Sequence, residues 1–285
     1  MRSKIKDYYN LTKPGIVYAN TFSAVAGYLY ATSWKINLAK FIGLVIGNGL
    51  LIASACVYNN YLDIPIDKLM SRTAKRELPT AKISIKSAKI FLAILFLIGL
   101  TCLIIFTNVL TVIIGLVAYI FYVFVYGYFK RYSKWGTLVG TLPGSASVIA
   151  GYVAYKNTLD MTSLFLLLIM ASWQMAHFYA ISVYRHDDYR VANLPVWSVS
   201  VGIKNTIKWI LFYMVMFLFL NIGFGLLTNV GLTYTFIMLI VSYVWIYLSV
   251  KQLSKISDTL WAKDVFKKSL LVNLIFMLTL ALVRI

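Results

Sequence analysis

Apolar runs of about 20 residues recur from one end of this chain to the other, and they constrain it more than any other feature. A helix crosses about 30 Å of hydrocarbon with roughly 20 apolar residues. Nine such runs can be read, at 15–33, 39–60, 88–106, 109–128, 136–155, 161–184, 206–228, 232–250 and 266–284. Of the 285 residues, 61% are apolar and 13% charged, against about a quarter charged in ordinary soluble domains. A soluble globule and a disordered chain are therefore excluded. So is a disulfide scaffold, since the only cysteines, Cys56 and Cys102, sit inside apolar runs and read as small buried hydrophobes. The runs are continuous rather than alternating, which excludes a transmembrane β-barrel. The expected fold is all-α: a polytopic membrane protein with nine transmembrane helices in one domain over residues 1–285. Lys13 and Pro14 lead straight into the first run with no small-residue cleavage site, so no cleavable signal peptide is expected.

Charge orients the bundle. The net charge is +18, but long apolar spans interrupt the basic residues, which makes a poor nucleic-acid face. With the N-terminus in the cytoplasm, 23 basic residues fall on inner segments. Four, Lys35, Lys40, Lys156 and Arg284, fall on outer ones. That asymmetry is the positive-inside pattern and places the C-terminus outside. The two long inner loops follow the second and sixth runs, four helices apart. Each carries paired acids, basic residues and a proline, as in a duplicated four-helix unit with one extra helix. Loops of this length between spans are often functional.

Five of the nine acids fall in those two loops. In the first, Asn59, Asp63 and Asp67 are spaced four apart and follow one helical stripe. Pro65 should kink or end the helix there. Oxygen ligands so spaced suit Mg²⁺, which takes one or two carboxylates while substrate phosphates complete its shell. A solvated helix end would instead scatter its few acids. Arg72 and Arg76 follow directly and could grip the remaining phosphate oxygens. Lys130 and Arg131 stand at another inner helix end.

The second loop holds Tyr184, His186, Asp187, Asp188 and Arg190. Asp187 and Asp188 could hold a second Mg²⁺ facing the first. His177 lies inside the preceding apolar run. An ionisable residue there marks a functional site, or a ring satisfied by a neighbouring hydroxyl or carbonyl; the sequence leaves both open. Histidines and cysteines are too few for a zinc site, and no nucleotide-type glycine loop is present. Aromatic rings lining a cavity could stabilise a cationic intermediate.

Taken together, these segments resemble the UbiA superfamily of intramembrane prenyltransferases. The carrying stretches are NNYLDIPIDKLMSRTAKRELP at 59–79 and SWQMAHFYAISVYRHDDYRVANLPV at 172–196, with LTKPG at 11–15 and YGYFKRYSKWG at 126–136. The second stretch is similar to the branch that farnesylates haem b. It departs from that branch at Ala176, at Trp197-Ser198 after Leu194-Pro195-Val196, and at Lys75-Arg76-Glu77, positions that bear on the shape of the acceptor pocket.

The resemblance implies a reaction of farnesyl diphosphate with a vinyl group of haem b, giving haem O and diphosphate, with water supplying a hydroxyl. It implies Mg²⁺ on Asn59, Asp63, Asp67, Asp187 and Asp188. Arg72, Arg76, Lys130, Arg131 and Arg190 would neutralise the diphosphate. His177, Tyr184 and His186 would serve the acceptor, with His177 orienting haem or ligating its iron. It further implies a plasma-membrane location, an active site on the cytoplasmic side, and haem A synthase or a terminal oxidase downstream. A superfamily member acting on a quinone precursor would keep the acid and basic motifs and differ in the sixth helix. A lipid-glycerol ether prenyltransferase is a further alternative. A transporter would place its ionisable groups near the bilayer midplane rather than at inner helix ends.

Overall fold

The computed structural model describes residues 2–283; Arg284, with the expected end of the last run, and the side chain of Arg2 lie outside the described residues. Everything described is helix, turn or loop, with no strand. The helices are α1 (Arg2–Leu11), α2 (Pro14–Thr32), α3 (Leu38–Leu62), α4 (Ile64–Asp67), α5 (Ile85–Phe106) and α6 (Val109–Ile120). A π-helical turn, Phe121–Val125, joins α6 to α7 (Tyr126–Tyr132). Then come α8 (Gly136–Lys156), α9 (Met161–Tyr184), α10 (His186–Val191), α11 (Trp197–Val201), α12 (Ile203–Leu227), α13 (Leu232–Gln252) and α14 (Asp258–Leu282).

The nine apolar runs each become a long helix, but several starts move. Side-chain caps set two of them: Ser84 accepts from the Ser87 amide and Ser257 from the Leu260 amide. A cap satisfies amides that the first turn leaves unpaired. Thus α5 begins at Ile85 and α14 at Asp258, before the apolar pattern is established. The fourth run continues past residue 128 to Tyr132 through the π turn. Such turns often occur at functional sites. The short helices α1, α4, α10 and α11 leave no apolar signature and were not anticipated.

Eight of the long helices are long and apolar enough to cross a membrane. The remaining one, α2, carries Asn20, Thr21 and Ser23 along its length and falls short of that standard. Outward side chains such as Leu97, Ile105, Phe219 and Phe236 are exposed, as expected of a surface whose solvent is lipid.

Small residues let the inner helices close up. A Cβ on Gly27 of α2 would stand 2.1 Å from the Val148 carbonyl oxygen of α8. One on Gly151 of α8 would stand 1.9 Å from the Ala24 carbonyl oxygen. Without a hydrophobic force between helices in lipid, such close backbone approach supplies the packing. Around this pair, α9 packs on α8, α12 and α14, and α14 returns to α2.

The two long loops meet at one end of the bundle. Ile66 and Met70 from the first pack with Tyr189, Ala192, Leu194 and Val196 from the second. Both acid-bearing segments are thereby on the same side of the molecule.

Candidate active site

Asn59, Asp63 and Asp67 form a ladder. Helix α3 ends at Leu62 and Pro65 sits in the first turn of α4, where its missing N–H costs nothing. The i to i−4 bonding nevertheless persists across the break. The Asp63 amide donates to the Asn59 carbonyl at 2.9 Å, and the Asp67 amide to the Asp63 carbonyl at 2.8 Å. The stripe expected from the spacing survives, carried by two helices rather than one. All three side chains are buried.

Buried acids need partners, and basic residues from distant segments supply them. Lys130 Nζ donates to Asp63 Oδ2, and Arg131 approaches Asp63 Oδ1 at 3.4 Å while donating to the Leu62 carbonyl. Arg76 Nη1 holds both oxygens of Asp67, at 3.1 and 2.9 Å. Lys13 Nζ donates to Asn59 Oδ1 at 3.1 Å. Burial alone would raise the Asp63 carboxyl, but Lys130, Lys13 and Arg131 outweigh it and hold the group below its ordinary value. Burial also pulls the Lys13 ammonium down to about 8, against the opposing pull of Asp63. Sequence reading gave Lys13 no role; its signal was the LTKPG segment.

The second loop is assembled more loosely. Asp187 pairs with Arg190 at 3.1 Å, and both side chains are exposed. Asp188 is less exposed and lies 3.9 Å from Arg185. Tyr189, to which the sequence reading gave no role, is half-buried here and packs with Ile66 and Met70 of the first loop. Burial raises its hydroxyl pKa first, with Tyr126 and Asp188 adding to the rise while Arg72 and Lys130 oppose it. His186 lies 3.3 Å from Ser198 Oγ, and the ring of Tyr184 is flanked by Arg185 and Lys263.

Between the loops and the membrane interior runs a cavity of about 430 Å³. Lys130, Tyr126, Tyr122, Gln174 and His177 are among the residues that line it. Tyr184 and His186, expected beside the acceptor, are not among its lining residues. Gln174 donates to Ser145 Oγ at 3.0 Å, and a Cβ on Gly144 would stand 2.0 Å from its Oε1.

His177 has a neighbouring hydroxyl as its partner: Nδ1 lies 2.7 Å from Ser269 Oγ. Ser269 gives its proton to the Phe266 carbonyl at 2.6 Å. The serine must therefore accept from His177, which assigns the Nδ1–H tautomer and leaves Nε2 unprotonated. Trp173 stacks on the ring at 4.8 Å. The histidine is thus both satisfied in the core and present in the cavity wall.

The donor set suits a hard cation. Asn59, Asp63 and Asp67 offer oxygens, with Asn59 Oδ1 held by Lys13 and its buried Nδ2 without a hydrogen-bond partner. Among the described residues, no three Asp, Glu, His or Cys side chains gather into a ready metal cage.

The UbiA prenyltransferase family pattern matches residues 20–274. This chain belongs to the UbiA prenyltransferase family. Protoheme IX farnesyltransferase of Yersinia pseudotuberculosis is 36% identical over 268 residues, covering 94% of this chain and 91% of that protein. Protoheme IX farnesyltransferase 2 of Pseudomonas fluorescens is 36% identical over 263 residues, covering 92% and 89%. A solved digeranylgeranylglyceryl phosphate synthase superposes with a TM-score of 0.80 at 22% identity, covering 99% of both chains. A UbiA homologue from Archaeoglobus fulgidus bound to GPP and Mg²⁺ superposes with a TM-score of 0.73 at 14% identity, covering 97% of this chain and all of that one. The structural likenesses establish the UbiA fold.

Proposed function

We propose that this UbiA-family prenyltransferase transfers farnesyl from farnesyl diphosphate to a vinyl group of haem b, giving haem O and diphosphate. The observation that carries this reading is the cavity itself. It has Lys130, bonded to Asp63, and His177 in its wall. A diphosphate placed at the ladder would take Lys130, Arg131 and Arg76 away from the carboxylates, which are then free for Mg²⁺. Asn59, Asp63 and Asp67 would hold the ion from one side and Asp188 of the adjoining loop from the other, joined by Asp187 when that loop turns it inward. Mg²⁺ would supply Lewis-acid stabilisation of the departing diphosphate.

The protein's own contribution is preorganised charge aimed at the leaving group. Lys13, bonded to Asn59, and Arg72 and Arg190 of the two loops add to it. Ionisation leaves an allylic cation in a cavity walled by Tyr122, Tyr126 and aliphatic side chains, where ring faces stabilise positive charge. The vinyl carbon attacks that cation, and water then captures the new cation beside the porphyrin as hydroxyl, releasing a proton. His177 orients the porphyrin or ligates its iron through Nε2.

The membrane arrangement follows the charge count. All nine long helices, α2 included, span the plasma membrane as one domain with the N-terminus and site on the cytoplasmic side. The product would pass to a haem A synthase or a terminal oxidase. The test is to incubate membranes containing the protein with labelled farnesyl diphosphate, Mg²⁺ and either haem b or a quinone precursor. Label in haem O supports the proposal; label only in the prenylated quinone precursor, or in neither product, overturns it.

A further inference from the structure

We propose that Lys134 binds the acceptor's ionised carboxylates at the mouth of the cavity and so sets which edge of the porphyrin enters. This rests on the acceptor named above, since haem b carries two propionates. Helix α7 ends at Tyr132, and Ser133 is extended, with φ −145° and ψ 137°. The chain therefore turns before Lys134, and the two lysines of this segment serve different walls. Lys130 reaches back to Asp63. Lys134 Nζ instead lies 5.4 Å from the Trp197 ring and 5.6 Å from the Trp135 ring. Those rings are 4.9 Å apart, and Trp197 stacks on Tyr179 of α9 at 5.6 Å.

The four aspartates of the two loops are already paired: Asp63 with Lys130 and Arg131, Asp67 with Arg76, Asp187 with Arg190, and Asp188 with Arg185. Among the described residues, Lys134 has only aromatic faces. Ring faces attract the charge but accept none of its three N–H donors in a normal hydrogen bond. Trp197 Nε1 beside it is buried and also lacks an acceptor. Lys134 lines the cavity together with Ser182, Leu194 and Val196, whereas none of Asn59, Asp63 and Asp67 does. An acceptor with a flat apolar body and anionic groups at one edge cannot bury that edge unpaired. It enters with the carboxylates at the mouth, where Lys134 is the unengaged cation.

The test compares Lys134→Gln, Lys134→Glu and Lys134→Arg in the full-length protein, with haem b and with its dimethyl ester. Lys134→Gln should raise the KM for haem b about tenfold, a typical value for one charge-assisted contact, and weaken haem binding in an absorbance titration by a similar factor. Lys134→Glu should be worse, and Lys134→Arg close to wild type. The KM for farnesyl diphosphate and kcat should not change, and the dimethyl ester should be indifferent to all three substitutions. An unchanged haem KM in Lys134→Gln overturns the carboxylate contact, as does a rise in the farnesyl diphosphate KM instead. Failure of the wild-type protein to form haem O overturns the proposed function itself.

Discussion

Lys130 donates to the carboxylate of Asp63, and the two are 67 positions apart in the sequence. One stands where a helix ends after a π turn, the other where a helix ends before a proline. Their meeting sets an acid behind Lys130, which itself lines an apolar cavity of about 430 Å³.

Replacing that acid should cost activity far more than folding. Asp63→Ala and Asp67→Ala should each lower turnover by about 100-fold or more, about 2.7 kcal/mol in barrier. Membrane insertion should be unaffected, as judged by the amount and protease pattern of protein in washed membranes. Chelation with EDTA should abolish product formation in the wild type, and added Mg²⁺ should restore it. Turnover near wild type in either variant would dismiss the metal assignment.

Lys13 should impose an alkaline limit. Burial places its ammonium at about 8, so it is charged below that pH and neutral above it. If the charged form helps hold diphosphate, kcat/KM for farnesyl diphosphate should fall as pH rises through about 8. Lys13→Arg should move that limb upward, because a guanidinium keeps its proton. A pH–rate profile identical in the two proteins would remove Lys13 from the site.

The two acids of the second loop should not be equal. The Asp187 side chain is 83% exposed and Asp188 only 21%. Asp188→Asn should therefore lower kcat/KM more than Asp187→Asn, by about tenfold or more if it alone faces the diphosphate. Steady-state kinetics on both variants decides, and an equal loss would mean that the loop rearranges to bring Asp187 inward.

His177→Ala should weaken haem b binding in a spectrophotometric titration by about tenfold, about 1.4 kcal/mol, with the farnesyl diphosphate KM unchanged. Ser269→Ala should have a smaller effect of the same kind, because it removes the acceptor that fixes the tautomer. Unchanged haem binding and turnover in His177→Ala would leave the ring a packing element only.

Gly151 tests the scaffold independently of the chemistry. Its added Cβ would meet backbone rather than a flexible side chain, so Gly151→Ala must push α2 and α8 apart. Overpacking of this kind costs about 1–3 kcal/mol, which should appear as a lower Tm in detergent. A Tm equal to wild type would show that the interface can relax.

The apolar runs and the basic asymmetry were enough to read an all-helical membrane bundle, because the bilayer demands continuous apolar helices and leaves few other ways to satisfy the backbone. The four-residue spacing of Asn59, Asp63 and Asp67 was likewise legible, since an i to i−4 ladder is a local property that survived even the break at Pro65. The tertiary structure decided which cation serves which acid. Lys130 went to Asp63, Arg76 to Asp67 and Lys13 to Asn59, while Asp187 stayed outside with Arg190. It also set His177 in the cavity wall and left Tyr184 and His186 out of it. Those choices depend on how helices far apart in the chain close against one another. Contacts as tight as Gly27 on Val148 fix that closure, and no periodicity within a single helix encodes it.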